Sequence, residues 1–352
     1  MTMTPAGRRL AAAVAAAAVI VAASIYLNAF RDYQIAEIAV DVTAVSGLTV
    51  LIGLSGQISI GHGAFMAIGA YTCALLLLHL GWPLVAAFAA AAAVTALAGA
   101  VVGLAAARLR GPYLAGATLM LAVALPSLAN RYAGALGGDQ GLNVNITAPG
   151  FLGATFPLTR WQAWVTCAAA LVTLVLLANL AGSRVGRNWR AVRDDEVAAA
   201  LAGLNVARVR ILAFVVSSAS GGLAGAMLAV TTGLVAPGAF TITLSIGLLT
   251  AAVLGGLGSL AGAVWGSLVL ILVPVYVTDV ATSHGLSSSV GSNIPVAAYG
   301  AVLIVVMLVF PDGIQGGLRK LAAYVSREPG EPLDLTDLSD FRASEHQEEG
   351  TT

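Results

Sequence analysis

Few side chains in this sequence are equipped for nucleophilic attack, proton transfer or metal binding. Four histidines, two cysteines and a single lysine occur in 352 residues. A phosphate-cradling G-x-x-x-x-G-K-[ST] loop needs its lysine beside the terminal phosphates. Lys320 is the sole lysine and closes the run Gly-Leu-Arg-Lys, so no such loop exists. There is no H-E-x-x-H pair, no paired-cysteine metal pattern and no nucleophile elbow. Cys73 and Cys167 lie far apart inside apolar stretches and read as small packing residues rather than a disulfide or metal site. His62 has no second ligand near it in sequence and makes a poor metal candidate. Catalysis is therefore not expected, and neither is a cofactor or metal bound by this chain. If ATP powers its work, another subunit holds ATP and Mg.

Three segments have unusual composition and spacing. The first is Gly53-Leu-Ser-Gly-Gln-Ile-Ser-Ile-Gly-His-Gly-Ala-Phe65, which holds Gly56, Gln57, Ser59 and His62. Glycine and serine at this density imply unwound or closely packed backbone, and Ser55, Ser59 and Gly63 recur every four positions. The second runs from Val253 to Gly266, where Gly258, Gly262 and Gly266 repeat G-x-x-x-G. Leu54, Gly56 and Ser59 match Leu254, Gly256 and Ser259 two hundred residues later, a hint of duplication. The third is the charged stretch from Gly186 to Arg208. In it, Asp194 or Asp195 can cap a helix beginning near Glu196, and the acidic first turn suits the helix dipole. Ala198 to Leu201, Ala199 included, are good helix formers, and Gly203 with Asn205 offers a stop.

The elements that position these segments follow from composition. Hydrophobic residues make up 59% of the chain and charged residues 10%, and the mean hydropathy is +0.90. A soluble domain carries about a quarter charged residues, so water cannot clothe this surface. The apolar stretches are long and continuous, as membrane-crossing helices require, and not short and alternating as in a barrel. They fall near 10–30, 36–55, 62–80, 84–106, 113–131, 161–181, 209–231, 241–257, 260–280 and 294–310. The eighth is short and glycine-rich, which predicts a broken or partly re-entrant helix. The first follows Arg8 and Arg9, but its apolar run is too long for an ordinary signal peptide.

Positive charge is retained on the cytoplasmic side of a membrane. Arg8, Arg9, Arg108, Arg110, Arg184, Arg187, Arg190, Arg193, Arg208, Arg210, Arg319 and Lys320 all fall on one face if ten spans keep both termini inside. Only Arg31, Arg131 and Arg160 fall on the other. The predicted fold is all-α, a polytopic transmembrane bundle of about 8–10 spans with both termini cytoplasmic. Residues 1–35 hold an N-terminal segment and the first span, 36–318 form the transmembrane domain, and 319–352 form a polar tail expected to be disordered. Loop 132–160 is expected outside and loop 182–208 inside.

In that setting the first segment has two open readings, helix packing or the lining of a pathway. Gln57 and His62 favour the second, since polar groups within a membrane face an interior or a cavity. The glycines at 258, 262 and 266 read as a packing ridge. The helix near 194–204, two to three turns long, is too short to be stable alone and needs a partner surface. The alternative is that its arginines only enforce topology.

These residues resemble the permease subunits of bacterial ATP-binding-cassette importers for branched-chain amino acids. Residues 53–71, from Gly-Leu-Ser-Gly-Gln to Ile-Gly-Ala-Tyr, look like the family's first signature. Gly111-Pro-Tyr-Leu-Ala-Gly-Ala-Thr-Leu resembles its fifth-span entry, and Gly137-Gly138 with Gly141-Leu142 its external glycine loop. Arg190 through Gly203 resembles its coupling region, Val253-Leu-Gly-Gly-Leu-Gly-Ser-Leu its late glycine motif, and Phe310-Pro-Asp-Gly-Ile-Gln-Gly its C-terminal end. The likeness covers about residues 36–318. It departs at Thr49, where the family often carries Asn, and at Asp139-Gln140, where a Ser/Thr-Asp pair is usual.

The resemblance implies a multi-pass protein of the bacterial plasma membrane that moves branched-chain amino acids or related small solutes by alternating access. It implies a second permease subunit, identical or homologous, two cytoplasmic ATPases and an extracytoplasmic solute-binding protein, with no nucleic acid. Arg193, Asp194, Asp195, Glu196, Ala199, Gly203 and Asn205 would couple to the ATPase. Thr49, Gly56, Gln57, Ser59, His62, Gly256, Gly258, Ser259, Gly262 and Gly266 are the pathway or packing candidates. The rival reading is an ion-coupled secondary transporter. It needs ionisable residues deep in the spans, and Asp41, His62, His79 and Asp279 are a thin set, most of them expected near span ends.

Overall fold

A computed structural model describes residues 5–108, 112–149, 153, 156–283 and 294–325. Arg110, Gly111 and the tail beyond 325 lie outside the described residues.

The chain is a bundle of helices because a backbone crossing a membrane must satisfy its own hydrogen bonds. In order they are α1 (Pro5–Tyr26), α2 (Ala29–Thr49), α3 (His62–Leu80), α4 (Leu84–Ala106), α5 (Pro112–Arg131), α6 (Ala133–Leu136) and α7 (Leu158–Gly182). Then come α8 (Arg184–Asp194), α9 (Glu196–Leu201), α10 (Val206–Thr232), α11 (Ile242–Gly255), α12 (Leu260–Ser283), α13 (Ile294–Val309) and α14 (Gly313–Val325). Among the described residues nine helices are long and apolar enough to cross a membrane. A tenth is counted if α13 and α14, bent by 44° at their junction, are one span. The protein is a multi-pass membrane protein.

Most predicted stretches coincide with helices, and the boundaries differ most near the two ends of the chain, where α1 runs over Pro5–Tyr26 and not 10–30. Asn28 caps α2 by accepting a hydrogen bond from the Arg31 amide. The second span therefore starts near residue 29, seven residues before the expected start, and widens into a π-helical turn at Val50–Leu54. This puts Asp41 at the middle of the Ala29–Leu54 span rather than near its end. At the other terminus α14 runs through Val325, so residues 319–325 are helical and not the start of a disordered tail. The eighth span is short, as expected: α11 has 14 residues and follows a 3-10 turn at Pro237–Ala239.

Helix α10 is the centre of the bundle and packs on α4, α3 and α2. Small residues bring these backbones together: a Cβ on Gly69 would strike the Gly222 backbone, and one on Gly225 the Met66 carbonyl. Cys73 and Cys167 are buried and free. At one end, β1 (Leu142–Asn143) pairs antiparallel with β2 (Leu234–Val235), tying the loop after α6 to the loop after α10. Helix α1 leans chiefly on α7, where Arg9 donates to the Ala178 carbonyl and to Asn179 Oδ1.

Candidate functional site

The first glycine segment is a break in the bundle. After the π-helical turn, Gly56 takes φ +71°, which glycine tolerates without strain, and residues 55–61 leave the helix. They run back into the protein, so α3 starts opposite Ala44 of α2 and Gly221 of α10, well inside those helices. Four hydrogen bonds hold the returning segment. Gln57 Nε2 donates to Ser55 Oγ at 2.6 Å and to the Arg210 carbonyl at 3.3 Å. The Ile60 amide donates to Thr118 Oγ1 at 3.1 Å. The Gly63 amide, in the first turn of α3, donates to Ser245 Oγ at 3.0 Å. Because the segment is not helical, Ser55, Ser59 and Gly63 share no helix face, which corrects the four-residue spacing read from sequence.

Several polar groups around this break are buried without a bonded side chain. His62 is 1% exposed and meets the Phe65 ring edge-on with centroids 6.4 Å apart. Its imidazole interacts with the Ala44 backbone, and neither ring nitrogen is bonded by a side chain. Thr49 Oγ1, Ser59 Oγ and Ser217 Oγ are buried and likewise unbonded. Buried polar groups normally find partners, so these side chains stand out around the break. Ser217 lies in Ser217-Ser218-Ala219-Ser220 of α10, a run the sequence reading did not single out.

The second glycine segment is a companion break. Gly256 and Gly258 have φ +111° and +85°, and α12 begins at Leu260. Gly258 therefore lies in a turn and not on a helical ridge. Gly262 and Gly266 alone form the ridge, against the Gly255 and Ala251 carbonyls of α11. The two breaks touch, since a Cβ on Gly53 would overlap the Gly258 backbone. Each also has a cover: Arg193 packs over Gly56, and the Asp312–Gly313 backbone lies over Gly256. Ser259 lies 3.5 Å from the Arg319 guanidinium.

Arg193 belongs to a two-helix platform between α7 and α10. The arginine-rich stretch before Asp194 is itself a helix, α8, which sequence reasoning did not separate from a topological signal. Trp189 of α8 is fully buried and donates through Nε1 to the Val209 carbonyl at 3.1 Å. Arg193 donates through Nη1 to the Gly53 carbonyl, and Asp194 binds the same guanidinium at 2.8 Å. Asp195, not Asp194, is the cap of α9, accepting from the Val197 and Ala198 amides. Helix α9 has six residues, shorter than the predicted two to three turns. Glu196 pairs with Arg210 at 2.8 Å, Ala199 is buried, and Gly203 turns with φ +86°. Asn205 caps the start of α10 by accepting from the Arg208 amide, rather than ending α9. The platform thus holds Val197 and Leu201 outward, 69% and 85% exposed.

A family model described as branched-chain amino acid transport system / permease component matches residues 30–311. The chain belongs to this family. Its matched range holds both breaks and the platform. A high-affinity branched-chain amino acid transport system permease protein LivM from Salmonella typhimurium is 33% identical over 249 residues, 64% of this chain and 58% of that relative. The LivH permease protein of the same organism is 30% identical over 286 residues, 77% of this chain and 89% of the relative. BraD of Pseudomonas aeruginosa is 34% identical over 146 residues, 42% of this chain and 44% of BraD. The chain spans less than two thirds of the length of the LivM relatives. No solved structure matches it.

Proposed function

We propose that this chain is the membrane-spanning permease subunit of an ATP-driven importer in a bacterial plasma membrane, moving branched-chain amino acids or related small solutes. A second permease subunit pairs with it, a solute-binding protein delivers solute from outside, and two ATPases sit on the inner face and hold ATP and Mg. The arginine distribution supports a cytoplasmic position for both termini and for residues 182–208.

The observation that carries this reading is the platform. An apolar pair held out by a capped and anchored helix is a contact surface, and the ATPase is the partner it fits. Motion of α9 would reach two spans at once. Glu196 is tied to Arg210 near the start of α10, and Arg193 to the Gly53 carbonyl in the π-helical turn that ends the second span. Those spans flank the returning strand, so shifting them would open the bundle to one side or the other.

Leu201→Glu tests this in the assembled transporter. Membrane insertion should be retained, because Leu201 is exposed, while ATPase association and ATP-dependent leucine uptake are lost. Wild-type association and uptake would sink the docking role. A second reading, ion-coupled transport, is favoured by one observation, the carboxylate of Asp41 buried at mid-span. An uncoupler that stops uptake while ATP is held constant would select it.

A further inference from the structure

Helix α1 is held to the bundle by little protein. Only 6% of its span is buried, against 22% or more in every other candidate span among the described residues. It packs mainly on α7, and a groove of about 300 Å³ runs between α1, α7 and α12. Helix α1 lends the groove Ala12 and Ala16, α7 lends Leu171 and Val175, and α12 lends Ala261 and Val264. Ala12 and Ala261 are exposed, so the groove opens on the outside of the bundle. From Leu171 to Ala178 it follows α7 for about 10 Å, or two turns.

One end of this groove is charged. Arg9 is its single charged lining residue and is half-buried. It lies against the last turns of α7, where a Cβ on Gly182 would sit 3.3 Å from both Nη atoms. A helix C-terminus is the negative end of the helix dipole and favours a cation there. Both bonds of Arg9 to α7 leave from Nη1, so Nη2 and Nε keep their donors for a further acceptor. Arg319 comes to the same end: its guanidinium is 3.5 Å from Ser259, the residue before Leu260, which also lines the groove. The other flank of the α1–α7 contact forms a second groove of about 350 Å³, and its lining is wholly apolar.

An apolar groove two turns long with guanidinium donors at one end matches an amphiphile, a hydrocarbon chain with an anionic head. Basic pockets between spans on the cytoplasmic side bind anionic headgroups, and the arginine distribution puts this end there. Arginine meets phosphate with paired, charge-assisted hydrogen bonds. A free anion would leave the apolar walls uncovered, and a zwitterionic lipid would bring a cation up to the arginines. We propose that the groove between α1, α7 and α12 holds one acyl chain of an anionic phospholipid, with its phosphate on Arg9 and Arg319. The lipid fastens α1 to α12 as well as to α7. This holds whichever solute crosses.

The test uses the full-length chain, with the subunits that co-purify with it, in an uncharged detergent. Dioleoyl phosphatidylglycerol should raise the thermal midpoint in a saturable way, and dioleoyl phosphatidylcholine, with the same chains, should not. Ala261→Trp fills the groove from an exposed position, spares both arginines and should abolish that rise. Val172→Trp, in the second groove, should leave it intact. Arg319→Ala should weaken the apparent affinity for the lipid about fivefold, the share of one basic residue at a membrane surface. Arg9→Ala should weaken it at least as much, and if that variant does not fold, Ala261→Trp and Arg319→Ala decide. Equal protection by the two lipids would overturn the proposal and leave an ordinary lipid boundary, and so would wild-type protection of Ala261→Trp. A photoreactive residue in place of Ala12 should cross-link to lipid. Cross-linking to a second permease subunit instead would make the groove a subunit interface and overturn the lipid site.

Discussion

Around Gly56 the chain leaves α2, runs seven residues back into the protein and starts α3 inside the bundle. Around Gly256 it leaves α11 and starts α12 after only four residues. The two breaks are built from similar residues and meet at Gly53 and Gly258. They are closed differently: a charged side chain from the platform, Arg193, covers the first, and backbone at the α13–α14 elbow covers the second. A side chain with several rotatable bonds can follow a moving helix, whereas backbone against backbone cannot give. The cover of the first break can therefore adjust by side-chain rotation, and the cover of the second holds backbone against backbone.

The contact between the breaks should be the most sensitive point. Gly53→Leu forces a side chain into the Gly258 backbone and should cost about 3 kcal/mol, the upper end for overpacking, read as a large fall in the thermal midpoint in detergent. A variant with normal stability would mean that the breaks do not bear on one another. Next comes the adjustable cover. Arg193→Ala removes a partly exposed charged donor and should cost about 1 kcal/mol, yet it should uncouple ATP hydrolysis from uptake. If coupling survives, Arg193 is no link between platform and break. The smallest effect belongs to the outer surface of the second cover. The Lys320–Asp312 pair, at 2.7 Å, is exposed on both sides, so Lys320→Ala should change stability by no more than about 0.5 kcal/mol. A larger loss in an unfolding titration would show that the second cover depends on side chains too.

Much of this architecture is legible in the residues. The spans announce themselves by length and apolarity, and Asp195 and Gly203 mark the two ends of α9. Helix α8 was hidden because its arginines carry a topological message that masks an amphipathic face, and only the burial of Trp189 separates the two. The early start of α2 was hidden because Asp32, Gln34 and Glu37 look like a loop until Arg160 and Tyr276 arrive from distant spans. Asp41 then reads as a span end from sequence and as mid-span in the fold.

The sequence by itself determined the class of structure, because a chain with 10% charged residues must bury itself in lipid and satisfy its backbone as helices. It also determined where the chain could unwind, since Gly56, Gly256 and Gly258 permit backbone angles that other residues resist. Tertiary structure alone decided which groups face one another. Ser245 reaches the Gly63 amide from 182 positions away, and Arg193 reaches the Gly53 carbonyl from 140. Hydrophobic burial is non-directional and leaves a residue pattern on each helix, but a hydrogen bond between two helices leaves none until they pack.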